Sequence, residues 1–169
     1  MKKFFTVLGC LAVFASVMAG QHAVAAEKSA GIIYVLTDRN ITSDLSARDT
    51  KARNDLADWW ERDLVNVLSK RGGFDAKLIT DRKEFKNADG SYLLTAKILK
   101  YRAGSKAARM MVGYGAGACS MDIHYEFVGK GNKTLLAKDD GVGSGRDWRN
   151  VTRKLNENML AAISATLGK

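Results

Sequence analysis

Apolar and polar positions along the chain separate into seven blocks. Residues 31–37 (GIIYVLT) are apolar on both alternating faces, which predicts a central strand covered on both sides. A polar stretch follows at 38–45. Ser46-Ala47-Arg48-Asp49 then has the spacing of a capping box, with Asp where Glu or Gln is usual. The helix that it opens carries one apolar stripe made by Ala52, Leu56, Trp59, Trp60, Leu64, Val67 and Leu68. Asp58 and Arg62 stand four apart on the other side, in the acid-first order that supports a helix. Lys70 and Arg71 suit the negative end of the helix dipole, and Gly72-Gly73 supply a left-handed stop.

Residues 74–80 predict a second strand, 87–90 (NADG) a turn, and 91–101 a long third strand. Residues 120–128 alternate without a break. Met121, Ile123, Tyr125 and Phe127 point one way, and Ser120, Asp122, His124 and Glu126 the other, so one face is buried and one wet. The loop 129–133 leads into a short last strand at 134–138. Gly141-Val142-Gly143-Ser144-Gly145 reads as a mobile connector, with Ser144 capping a closing helix. That helix has the stripe Trp148, Val151, Leu155, Met159, Ala162, Ile163 and Leu167. The order is β-α-β-β-β-β-α. It predicts a single α+β domain over 27–169, with hairpin-connected strands, a mostly antiparallel sheet and two helices packed on it.

The first 26 residues differ in kind. Lys2 and Lys3 precede an uncharged apolar run from Phe4 to Met18, and Val24-Ala25-Ala26 puts small residues at a cleavage position. A secretory signal over 1–26 is expected, cleaved after Ala26 or one residue earlier. Gln21 and His22 interrupt the run too soon for a membrane helix. Val7-Leu8-Gly9-Cys10 faintly resembles a lipoprotein box, but the apolar run continues behind it from Leu11 to Met18. The expected location is therefore periplasmic and soluble, with a lipid-anchored outer-membrane protein the weaker reading.

Cleavage changes the chemistry available. Of 27 Lys+Arg, Lys2 and Lys3 leave, so 25 remain against 18 Asp+Glu, a net charge of +7. Spread along the chain, that excess serves solubility or a weak attraction to anionic lipid or cell-wall polymer. An exported protein seldom meets nucleic acid, and no nucleic-acid partner is expected. The mature chain keeps one cysteine, Cys119, and one histidine, His124. Such a pair of singletons cannot build a structural zinc site, a CxxC redox pair or a haem attachment, so no metal and no cofactor is implied. Cys119 is expected to be buried.

Nine glycines lie between Gly104 and Gly145, and the core of that region is 102–117 (RAGSKAARMMVGYGAG). As a phosphate cradle it would offer Gly113, Gly115 and Gly117 with Lys106 and Arg109 nearby. Its spacing is G-x-G-x-G before a strand, however, not the dinucleotide fingerprint between strand and helix. As a partner-binding segment it would offer small residues for close approach and Met110, Met111, Val112 and Tyr114 as adaptable apolar surface. As plain structure it would be a long hairpin folded onto its own core. Arg146, beside the start of the last helix, is a further anion-binding candidate.

Catalytic patterns are poorly served. His124 lies mid-strand on the wet face between Asp122 and Glu126, and Cys119 falls on the opposite face of that strand. No pair of carboxylates is marked out by an apolar setting. Trp59, Trp60 and Trp148 could stack on sugars or bases, yet they lie on helix stripes and read as core. Enzyme activity is not expected.

Arg109-Met110-Met111-Val112-Gly113-Tyr114-Gly115-Ala116-Gly117-Ala118 followed by an alternating strand resembles the bacterial domain-of-unknown-function family 4410. The early strand and helix, the strand ending near Tyr101 and the hairpin after Phe127 also fit that layout. The resemblance implies an exported envelope protein; it supplies no activity and no catalytic residue. The expectation is a non-catalytic binding module acting through 103–117. Arg109 would supply charge, Tyr114 an anchor, and Gly113, Gly115 and Gly117 close approach to an envelope protein or a second copy. A small-ligand or anion-binding protein, or an enzyme, with a pocket between sheet and helices is the alternative.

Overall fold

The first strand sits where its two-sided apolarity requires. In a computed structural model that describes residues 31–104, 117–145 and 147–169, β1 (Ile32–Asp38) lies inside a five-stranded sheet of order β2-β1-β3-β4-β5. Ile33 and Val35 are fully buried under the helices. Tyr34 faces the other way, packed edge-on against Phe85 at 5.5 Å in a smaller cluster with Ile79, Leu93 and Val128. β2 spans Asp75–Ile79, β3 Ser91–Arg102, β4 Cys119–Val128 and β5 Thr134–Ser144; the helices are α1 (Ala47–Lys70) and α2 (Trp148–Thr166).

The α+β class and the order β-α-β-β-β-β-α hold. The sheet is mixed: β1 runs parallel to both β2 and β3, while β3–β4 and β4–β5 are antiparallel. So β2 and β3 do not form the expected hairpin. They flank β1, and both edges of that apolar strand are hydrogen-bonded. The connection between them contributes Phe85 to the far face of β1.

Local signals decide the ends of α1. The Ser46 hydroxyl accepts from the Asp49 amide at 3.1 Å, the N-cap bond expected from the spacing, and donates to the Asp49 carboxylate at 2.6 Å. Leu56, Trp60, Leu64 and Leu68 are buried against the sheet, and Leu155, Met159 and Ile163 of α2 complete the layer over Tyr125 and Phe127. Each such side chain contributes roughly 1.5–3 kcal/mol on burial.

The last strand corrects the sequence reading. β5 continues past Lys138 to Ser144, and pairs with β4 as far as Cys119↔Ser144. Gly141 and Gly143 thus belong to a strand, not to a mobile connector. A Cβ at Gly141 would stand 2.6 Å from Asp122 Oδ1, so the missing side chain makes room for the neighbouring strand. The cap of α2 is Asp147, whose carboxylate accepts from the Arg149 amide at 3.2 Å; Ser144 ends β5 instead. Among the described residues no helix is long and apolar enough to cross a membrane.

Candidate functional site

Topology gathers the C-terminal ends of β1, β3 and β5 and the N-terminal ends of α1 and α2 at one end of the domain. Here β3 outruns β1. Pairing with β1 stops at Asp38↔Lys97, whereas β3 continues beside β4 to Arg102↔Ser120. A bulge between Ile98 and Lys100 leaves Leu99 44% exposed.

Beyond Arg102 and Ser120 the chain narrows to a neck. Gly104 (φ +72°) and Gly117 (φ +66°) both adopt left-handed backbone. A Cβ at Gly104 would stand 2.5 Å from the Gly117 carbonyl oxygen and 3.0 Å from the Cys119 nitrogen. No side chain fits at Gly104, and the left-handed turn disfavours one in any case. The backbone at Gly104 and at Gly117 is thus closely apposed beyond the end of the sheet. Of the expected site residues, Gly117 is at this neck. Lys106, Arg109, Gly113, Tyr114, Gly115 and Arg146 lie outside the described residues.

Below the neck, Cys119 is buried, as expected, with Sγ 3.4 Å from the Ser144 carbonyl oxygen. Burial raises the pKa of the Tyr101 phenol, with Cys119 and Asp147 adding to the shift. Trp148, at the start of α2, meets Trp59 of α1 at 5.5 Å with perpendicular rings, and the Arg149 guanidinium lies 5.2 Å from the Trp148 ring.

The same end holds a polar cluster that the sequence reading missed. Arg39 Nε and Nη2 donate to Glu61 Oε1 and Oε2 at 3.1 and 2.8 Å. Nη2 also lies 2.7 Å from Asp58 Oδ1, and Nη1 donates to Asn54 Oδ1 at 3.1 Å. The Thr37 hydroxyl donates to Glu61 Oε1. Glu61 is 4% exposed, a single buried carboxylate held by these polar partners. The available signal was its helical spacing: position 61 lies four after Ala57 and three before Leu64, within the buried stripe. The carboxylate of Glu61 holds the Arg39 guanidinium more firmly protonated than usual, and Asp58 adds to this. Arg53 Nη1 donates to the Asn40 carbonyl at 2.6 Å, tying the loop to α1 a second time. A carboxylate engaged in this way orients the loop; it is not placed as a base.

On the open face of the sheet, His124 Nδ1 lies 2.6 Å from Asp139 Oδ1 and Nε2 lies 3.5 Å from Glu126 Oε1. The Asp139 hydrogen bond, aided by Glu126, raises the imidazole pKa. Lys97 and Asp38 pair beside them at 3.1 Å. His124 is thus one member of a charged surface ladder, on the opposite face from buried Cys119. Trp60 is core, but Trp59 is only half-buried and borders an external groove.

Solved structures are similar to this chain to different degrees. A dodecamer of PelC from Paraburkholderia phytofirmans matches with a TM-score of 0.50 at 12% identity, over 81% of this chain and 88% of that one. A protein from Helicobacter pylori, described as a homolog of a neuraminyllactose-binding hemagglutinin, matches with a TM-score of 0.43 at 10% identity, over 83% and 84% of the two chains. The PelC likeness is one of fold. No curated protein matches in sequence. The profile described as Domain of unknown function (DUF4410) matches residues 33–166, from β1 to the last turn of α2, and the chain belongs to that family.

Proposed function

We propose that this protein is a non-catalytic binding module of the cell envelope, exported by its 1–26 leader to the periplasm and engaging its partner through the segment 103–117. The observation that carries the reading is the glycine neck. Gly104 and Gly117 bring the backbone on either side of that segment into close contact at the end of the sheet. In this reading Arg109 supplies charge, Tyr114 an aromatic anchor, and Gly113, Gly115 and Gly117 close backbone approach. Lys106 and Arg146 add positive charge to this reading. The layer between sheet and helices is filled by Trp60, Leu64, Tyr125, Phe127 and Met159, which favours a surface interaction over a ligand pocket there. The dodecameric state of PelC, a protein of similar fold, supports a second copy of this chain as the partner.

A photo-crosslinker in place of Tyr114, used in the living cell and followed by mass spectrometry, tests the reading. The expected product is a discrete species with another envelope protein or a second copy. Crosslinks confined to the same molecule would overturn it. Gly115→Val should leave export intact and weaken recovery of that species.

A further inference from the structure

Trp59, Arg62, Asp63 and Asn66 line an open groove of about 430 Å³ on the surface of α1. Their spacing of three and four residues puts them on one stripe of the helix, beside the buried stripe. Three of the four are held in place. Trp59 is braced by the perpendicular Trp148 ring. Arg62 Nε donates to the Asp58 carbonyl at 2.9 Å, which orients the guanidinium plane. Asp63 Oδ2 accepts at 2.7 Å from Asn156 Nδ2, a fully buried amide anchored in turn on the Trp60 carbonyl at 3.4 Å. Asn66 is exposed and brings both a donor and an acceptor.

We infer that this groove is a binding site for a neutral saccharide. The indole of Trp59 offers an apolar face with negative quadrupole, which suits the face of a sugar ring that carries its C–H bonds. Planar Arg62, Asp63 and Asn66 groups match vicinal hydroxyls, which donate and accept at once. Charge decides between ligand classes. Arg62 and Asp63 are adjacent and cancel, so a polyanion meets Asp63 and a polycation meets Arg62, while an uncharged polyol meets neither penalty. The groove lies on α1 and is independent of the proposed role of 103–117.

Titrating the purified protein with cellotetraose and with chitotetraose, while following the indole N–H resonances, tests the inference. The expected result is a saturable shift of the Trp59 indole with at least one of the two, and little movement of buried Trp60. Trp59→Ala should weaken binding at least about tenfold. Because Trp59 also braces Trp148, Asn66→Ala serves as the second variant. Asn66 is exposed, so its replacement should weaken binding several-fold at unchanged melting temperature. No indole shift with either sugar at tens of millimolar would overturn the site. So would equal affinity in Asn66→Ala and the parent.

Discussion

Arg39 sets its guanidinium fork across both carboxylate oxygens of Glu61, at 3.1 and 2.8 Å, and so ties the end of β1 to the middle of α1. Glu61 points into the layer between helix and sheet, where an unpaired carboxylate would be costly. The pair therefore also settles the path of the 39–46 loop, at the end of the molecule where the neck stands.

Arg39→Ala should destabilise the domain by about 2–3 kcal/mol, because Glu61 then stays buried without its partner. The value lies below that of fully buried pairs because the Arg39 side chain is 31% exposed and water screens it. Adding Glu61→Leu should recover part of the loss. Urea denaturation of the single and double variants measures both. A single-variant loss below about 0.5 kcal/mol would mean that the pair behaves as an ordinary surface contact.

Gly104→Ala and Gly131→Ala make an informative pair. Both glycines have positive φ, +72° and +70°, but a Cβ at Gly104 collides with the Gly117 carbonyl whereas none lies within 4 Å at Gly131. Gly131→Ala should cost about 1–2 kcal/mol from backbone conformation alone. Gly104→Ala should cost more, because the neck must open. Equal melting temperatures would show that the neck gives way freely.

The imidazole of His124 gains Asp139 and Glu126 on folding, so its folded pKa lies above the unfolded value of 6.5. The charged form is the one favoured. Its contribution is fully present below the unfolded pKa and is lost as pH rises through the folded one. Stability should thus fall modestly from near neutral into mildly alkaline solution, and Asp139→Asn should flatten that slope. Denaturation midpoints across this range, with the imidazole proton resonances of His124, report it. A slope unchanged in the variant would assign the effect to another group.

Tyr125 is fully buried, and its hydroxyl has no hydrogen-bond partner among the described residues. Burial, with Asp140 nearby, raises the phenol pKa to about 12. Tyr125→Phe removes an unsatisfied polar atom and keeps the ring, so stability should stay within about 0.5 kcal/mol of the parent or rise. A loss above about 1.5 kcal/mol would reveal a bonding partner for that hydroxyl.

Periodic and capping signals are local, and they made much of the fold legible in the sequence. The stripe and Ser46 cap of α1 follow from covalent spacing alone, as does the alternation of β4 from Ser120 to Phe127. The family motif at 109–118 was legible in the same way, and Gly117 with it. Pairing partners leave no such trace. The parallel strands on both sides of β1, and the absence of a β2–β3 hairpin, depend on hydrogen bonds between segments far apart in sequence. β5 was read too short because Gly141 and Gly143 carry no side chains to alternate, and β4 supplies their register. Glu61 takes on its role only through Arg39, 22 residues earlier in the chain. Gly104 likewise acquires its meaning only opposite Gly117. Steric exclusion and charge compensation act between atoms brought together by folding, and that is why tertiary structure alone decided the neck and the buried pair.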